Sequence, residues 1–244
     1  MPFYNDAYRR QQADRLDAAL QTMLSRERAV RDGRMAPEHG DLPIGSGRRV
    51  SATVLFLDVC GSSGRGSDDQ APQEEALRTM TIFFGEMIRI LTEFGARVEK
   101  NTGDGLMAYF TGGQDGMSIQ HTAVAAAITM MVTAENAIAP ALRSVGLQPW
   151  PFRICMEHGP ITVAEVGAAR LFRGIVAIGT TANIAAKMLA VARSGDLLIG
   201  DAVLHGLPEV WQEHATETLM DTGWLYRTGR PYPFHRFTGR WRTT

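Results

Sequence analysis

Two aspartates in this chain stand at the ends of apolar runs. Asp58 closes Val54-Leu55-Phe56-Leu57 and is followed by Val59, Cys60 and a Gly61-Ser62-Ser63 turn. Asp104 lies in Glu99-Lys100-Asn101-Thr102-Gly103-Asp104-Gly105, where a hairpin should reverse. Two carboxylates so placed can share a pair of divalent cations and hold a nucleoside triphosphate, because positioning and charge neutralisation supply most of the catalysis in phosphoryl chemistry. Each aspartate also has a plainer reading. Asp-Gly is a common hairpin turn, and a single aspartate after a strand is often only a helix cap. A third element strengthens the pair. In Ala177 to Lys187, Asn183 and Lys187 are four apart and share one helix face. The Gly179-Thr180-Thr181 turn before them offers backbone N–H groups that favour anions.

The elements that must position these residues follow from periodicity. Residues 6–32 read as a charged, weakly amphipathic helix with Leu16, Leu20, Met23 and Leu24 on one face, and 33–47 as a connector containing Gly and Pro. Residues 50–59 read as a strand and 61–72 as a polar loop. In 73–94 the apolar residues Leu77, Met80, Phe84, Met87, Ile88 and Leu91 recur at helical spacing, closed by Gly95. Residues 96–100 and 106–110 form a hairpin, and 119–145 an Ala- and Met-rich helix also ended by glycine. Residues 152–156 and 161–166 read as two strands turning at His158-Gly159. A helix over 181–193, a strand over 196–200 and an Arg-rich tail with strands near Leu219 and Phe237 complete the chain. The order predicts an α+β fold: a ferredoxin-like βαββαβ core with an N-terminal helix (1–47, with its connector) and a C-terminal extension (within 48–244).

Composition narrows the classes. The 244 residues, 45% of them hydrophobic, suffice for one core. A net charge of −1 gives no pull toward nucleic acid or an anionic membrane. Cys60 and Cys155 sit in apolar sequence and read as small buried hydrophobes, consistent with a reducing compartment. The first ten residues carry no apolar leader and the apolar stretch 123–132 is too short to span a bilayer, so the expectation is a cytoplasmic protein with neither membrane nor nucleic-acid partner.

In this order the motifs resemble the catalytic domain of class III nucleotidyl cyclases over roughly residues 48–240. The family's strand-Asp-turn is matched by Asp58 with Gly61-Ser62-Ser63, and its Lys-x-x-Gly-Asp by Lys100 to Asp104. At its His-x-Gly strand turn this chain has His158-Gly159-Pro160, with no residue between His and Gly, and its Gly-x-Thr-Val-Asn-x-Ala-x-Arg is matched by Gly179 to Lys187. The resemblance implies that Asp58, Asp104 and the Val59 carbonyl bind two divalent cations, Mn²⁺ or Mg²⁺. Gly61, Ser62 and Ser63 would wrap the triphosphate, Asn183 would orient the ribose, and Lys187 would take the transition-state arginine's place. Arg227 or Arg230 would serve the terminal phosphates. It also implies a homodimer with active sites at the interface, one chain giving the aspartates and the other Lys100, Asn183 and Lys187.

Two departures from the family bear on chemistry. Lys187 keeps the arginine's charge but loses its fork. Adenylyl cyclases pair the lysine before Gly-Asp with an aspartate three residues ahead of the Gly-x-Thr glycine, and that position is Val176 here. An ammonium donates only. A base amino group left unpaired and buried costs roughly 1–3 kcal/mol, whereas uracil presents acceptors. Lys100 with an apolar Val176 therefore favours UTP, unless a backbone carbonyl receives the amino group of another base. The compact chain also resembles the pyrimidine cyclases of Pycsar anti-phage systems, in which cyclic UMP or cyclic CMP activates a separate effector. The alternatives are a cytidylate or adenylate cyclase, or an inactive cyclase-like nucleotide-binding regulator. A palm-type polymerase or cyclic-dinucleotide synthase is disfavoured by the 183–187 helix and the absence of a Gly-Gly-Asp/Glu-Glu-Phe turn.

Overall fold

The computed structural model describes residues 6–24, 30–38, 40–61, 69–101, 104–168, 172–218, 225, 229 and 231–241. Helix α1 covers Asp6–Leu24. It stops short of residue 32, because Val30–Asp32 is a short strand, β1, paired in parallel with Gly47–Arg49. The expected helix is therefore corrected at its end: three residues with an open strand edge beside them pair rather than coil. The apolar run before Asp58 is the middle of a long strand, β2 (Ser46–Val59). Its residues are apolar on both faces, with Leu55, Leu57 and Val59 in one cluster and Val50, Ala52 and Val54 in another. A strand buried on both sides in this way belongs at a sheet's centre.

Helix α2 (Gln70–Glu93) follows, then the hairpin of β3 (Arg97–Asn101) and β4 (Gly105–Phe110). The Ala- and Met-rich segment is α3 (Ile119–Thr133), a π turn over Ala134–Ile138 and α4 (Ala139–Ser144). Pro140 explains the wider turn. It lacks the N–H that would bond four residues back, and its ring needs room there. Helix Ile119–Ser144 is long and apolar enough to cross a membrane by length and composition. Most of that surface is buried, with Val124, Ala127, Met130 and Met131 in the main core beside Phe83, Phe84, Met87 and Leu91 of α2.

The next element departs from expectation. Instead of two strands turning at His158-Gly159, Phe152–Ala168 is one 17-residue strand, β5, paired with β2 from Ser46 to Val59. Pro160 is tolerated because it falls in a gap along the strand's other edge. That edge pairs in parallel with β7 (Leu197–Gly200) up to Met156, and with β6 (Phe172–Ile178) from Thr162 onward. Gly159 makes room rather than a turn. A methyl group there would lie 2.7 Å from Thr181 Oγ1 on helix α5 (Thr180–Met188), whose hydroxyl donates to the Pro160 carbonyl at 2.9 Å. Helix α5 ends at Met188, five residues before the expected Arg193.

Short helices α6 (Asp201–Leu204) and α7 (Glu209–Gln212) and the pair β8 (Ala215–Glu217) and β9 (Phe234–Phe237) finish the described chain. The strand expected near Leu219 is met by β8 just before it, with Leu219 itself outside the described residues. The sheet order is β3-β4-β2-β5-β7-β9-β8. Its first four strands, β2 and β5 antiparallel and β4 inserted beside β2, give the ferredoxin-like βαββαβ arrangement. Helices α2 and α3 cover one face, and α5 covers the other over Cys155 and Leu198.

Candidate active site

The metal-binding candidates meet because β2 and β4 are hydrogen-bonded neighbours. Asp58 stands opposite Gly105, and the Val59 N–H donates to the Asp104 carbonyl at 2.8 Å. Both aspartates thus reach the same sheet end from distant parts of the chain. Each is half-buried, with its strand anchored in the core behind it. Gly61, three residues after Asp58, has a φ of 73°, a conformation that suits glycine. Two carboxylates and a backbone carbonyl are the hard oxygen donors that Mg²⁺ and Mn²⁺ take. No group of three or more His, Cys, Asp or Glu side chains able to hold an ion converges among the described residues. The remaining donors would come from phosphate and water, which is how Mg²⁺ is usually held in triphosphate sites.

No motif in the sequence points to the group next to Asp58. Arg153 is its cross-strand partner on β5, and its Nε and Nη2 both donate to Asp58 Oδ2, at 2.9 and 2.6 Å. Arg153 Nη1 donates to the Ala192 carbonyl beyond α5 at 2.8 Å. An arginine in the Phe152–Met156 segment was visible in the sequence, but the register that sets it opposite Asp58 was not. Cys60 is partly exposed rather than buried, and partial burial raises its thiol pKa against the lowering effect of Arg153. Cys155 is fully buried, and burial pushes its pKa well up.

The base-reading candidates lie along β3 and β6. Val176 is partly buried opposite Ala164 of β5. Lys100 pairs with Met107 after a bulge that includes Glu99. Glu99 Oε2 accepts the Ala177 N–H at 2.7 Å, bringing the backbones at 99 and 177 together within one chain. The side chain of Lys100, and Ser62, Ser63, Arg227 and Arg230, lie outside the described residues. Asn183 and Lys187 are exposed on α5. That helix starts at Gly179, whose φ of 147° is open to glycine, and a side chain there would crowd the Pro160 carbonyl at 3.2 Å.

His158 has a structural role. Its ring nitrogens are hydrogen-bonded with the Ser51 and Thr53 hydroxyls of β2, at 3.2 and 2.9 Å, and burial lowers its pKa. Its neighbour Glu157 is another residue the sequence did not signal. It is 1% exposed, takes the Tyr232 hydroxyl at 2.5 Å and the His158 N–H at 2.7 Å, and burial raises its pKa to about 7.

The profile of the family described as "Adenylate and Guanylate cyclase catalytic domain" matches residues 46–221. The chain belongs to that family. It is therefore a class III nucleotide cyclase domain, and cyclases of this class in general use divalent metal ions. Among curated proteins it is similar to an adenylate cyclase of Mycobacterium tuberculosis, 26% identical over 80% of this chain and 41% of that protein. The chain thus spans about two-fifths of the length of the curated relatives it matches. Among solved structures it is similar to the guanylyl cyclase Cya2, with TM-score 0.66 and 19% identity, over 80% of this chain and 94% of that one. It is also similar to a dimeric guanylyl cyclase domain of the RhoGC fusion protein from the aquatic fungus Blastocladiella emersonii. That match has TM-score 0.61 and 16% identity, over 80% of this chain and 98% of that one. At these identities the structural likeness concerns the fold.

Proposed function

We propose that the protein converts a nucleoside triphosphate to its 3′,5′-cyclic monophosphate and pyrophosphate. The observation that carries this is the meeting of Asp58 and Asp104 on neighbouring strands of a cyclase-family sheet. In the reaction, the ribose 3′-oxygen bonds to the α-phosphorus, the bond to the pyrophosphate oxygen breaks, and the 3′-hydroxyl proton leaves to solvent. Two divalent cations, Mn²⁺ or Mg²⁺, held by Asp58, Asp104 and the Val59 carbonyl would neutralise phosphate charge and ease loss of that proton. Gly61, Ser62 and Ser63 wrap the triphosphate, and Arg227 or Arg230 receives its terminal phosphates. Asn183 orients the ribose. Lys187 balances charge developing on the phosphates, as a point charge rather than a fork.

The exposure of Asn183 and Lys187 supports a site completed by a second copy, with α5 of one chain facing the aspartates of the other. The preferred substrate is UTP, because Lys100 donates to uracil acceptors against the apolar Val176. The product cyclic UMP would then be a cytoplasmic second messenger read by a separate effector in anti-phage defence. Cytidylate or adenylate cyclisation is the second reading. It is favoured by the Glu99 carboxylate, which reaches the backbone one residue from Val176 and so brings an acceptor near that wall.

Incubation with the four triphosphates and Mn²⁺, followed by mass identification of the cyclic product, tests both readings. Asp104→Ala should abolish product while leaving the metal-free melting temperature nearly unchanged. Full turnover in that variant would overturn the assignment.

A further inference from the structure

We propose that Arg153 is the positioning residue of the metal pair, a built-in counter-cation that makes the site fill with metal and nucleotide together rather than with free metal. This rests on the two-metal reading above. Asp58 and Arg153 stand opposite each other on adjacent antiparallel strands, so the contact is set by sheet register rather than by a flexible surface encounter. Two guanidinium N–H groups converge on one carboxylate oxygen, Oδ2, and a third is fixed by the Ala192 carbonyl. The two side chains are 26% and 23% exposed. The guanidinium is therefore held from two sides, beside a carboxylate that should ligate a cation.

Two consequences follow. The Asp58 carboxylate has its charge balanced without metal, so Arg153 offsets one of the two aspartate charges at the sheet end. A divalent cation arriving alone meets a fixed positive charge within a few ångströms, in surroundings where screening by water is incomplete. A cation arriving with a triphosphate brings several negative charges that offset the repulsion. Arg153 acts here through Asp58 and the local field, and it need not touch the nucleotide. Its bond to Ala192 also ties this balance to the chain just after α5, the helix that carries Asn183 and Lys187.

The test is Mn²⁺ binding to the full chain, read from the free-ion paramagnetic resonance signal, with and without a non-hydrolysable triphosphate. Arg153→Gln keeps a hydrogen-bond donor toward Asp58 and removes the charge, so it should bind free Mn²⁺ about ten-fold more tightly. Its gain in Mn²⁺ affinity on adding nucleotide should shrink by a similar factor. Arg153→Lys, which keeps the charge, should behave like the wild type. Arg153→Met serves as the neutral variant if the glutamine one does not fold. Melting temperatures measured in parallel separate a merely structural role, which would move stability and leave Mn²⁺ affinity alone. Unchanged or weaker free-Mn²⁺ binding in the neutral variants overturns the inference while leaving the metal site standing, provided Asp58→Asn and Asp104→Asn still remove the binding. Mn²⁺ binding that ignores both aspartates, or no Mn²⁺ binding by any variant, overturns the metal assignment and this inference with it.

Discussion

Glu157 offers a direct check on the buried electrostatics of the sheet. Its carboxyl is enclosed between β5 and the segment before β9. Tyr232 Oη donates to Oε2, the His158 N–H donates to Oε1, and Asp201 adds like-charge repulsion while His235 Nε2 sits 3.4 Å from the Asp201 carboxylate. Gly200 lies so close that a methyl group there would overlap the Glu157 carboxylate. Burial, the largest influence, raises the pKa from 4.5 to about 7. Between those values the folded chain holds a proton that the unfolded chain has released, so this group's contribution to stability is complete below pH 4.5, falls as pH rises, and is lost above about pH 7. The rise corresponds to roughly 3 kcal/mol. Glu157→Gln resembles the protonated form and stays neutral at every pH. Its amide can donate to Tyr232 while its carbonyl accepts the His158 N–H. At pH 8 the variant should be more stable than the wild type by about 3 kcal/mol, a rise of roughly 6–12 °C in Tm for a domain of this size. At pH 4.5 the two should converge. The measurement is thermal or urea unfolding of both proteins from pH 4.5 to 8, without divalent metal. The difference between the curves is decisive, because His158 and His121, whose pKa values burial lowers, contribute stability that is lost as pH falls in both proteins. A difference that stays constant across this range would refute the buried-proton reasoning.

Three further outcomes are expected. Asp58→Ala and Asn183→Ala should each be inactive, while mixing them under subunit exchange should restore up to about half the wild-type rate per heterodimer if two chains share each site; no recovery in proven heterodimers places the site within one chain. Val176→Asp should move preference among the four triphosphates from UTP toward ATP or CTP in initial-rate assays, and an unchanged ranking would mean that the base is read elsewhere. Gly159→Ala should cost about 1–3 kcal/mol in urea unfolding by pushing Thr181 and the start of α5 off β5, and an unaltered midpoint would show that the helix yields without strain.

Local patterns along the chain set the order of the core elements and the places where carboxylates end strands. Periodicity of 3.6 marks α2 and α3, apolar runs mark β2 and β4, and Gly103-Asp104-Gly105 marks a reversal, all signals carried within a few residues. That sufficed for the βαββαβ topology and for the motifs of the cyclase family. Local pattern could not decide whether the chain turns or continues through His158-Gly159-Pro160. The answer depends on which distant strands occupy the two edges of β5, and Gly159 is needed for the approach of α5 rather than for a bend. Nor could it decide that Val30–Asp32 finds an open edge of β2. The pairing of Arg153 with Asp58, 95 residues apart, and the enclosure of Glu157 beneath Tyr232 are matters of register and closure. Register is set by sheet-wide pairing and by packing on both faces, where a one-residue slip would reverse every side chain. The tertiary structure alone therefore decides which charge stands opposite which, and with it the electrostatics around the candidate metal ligands.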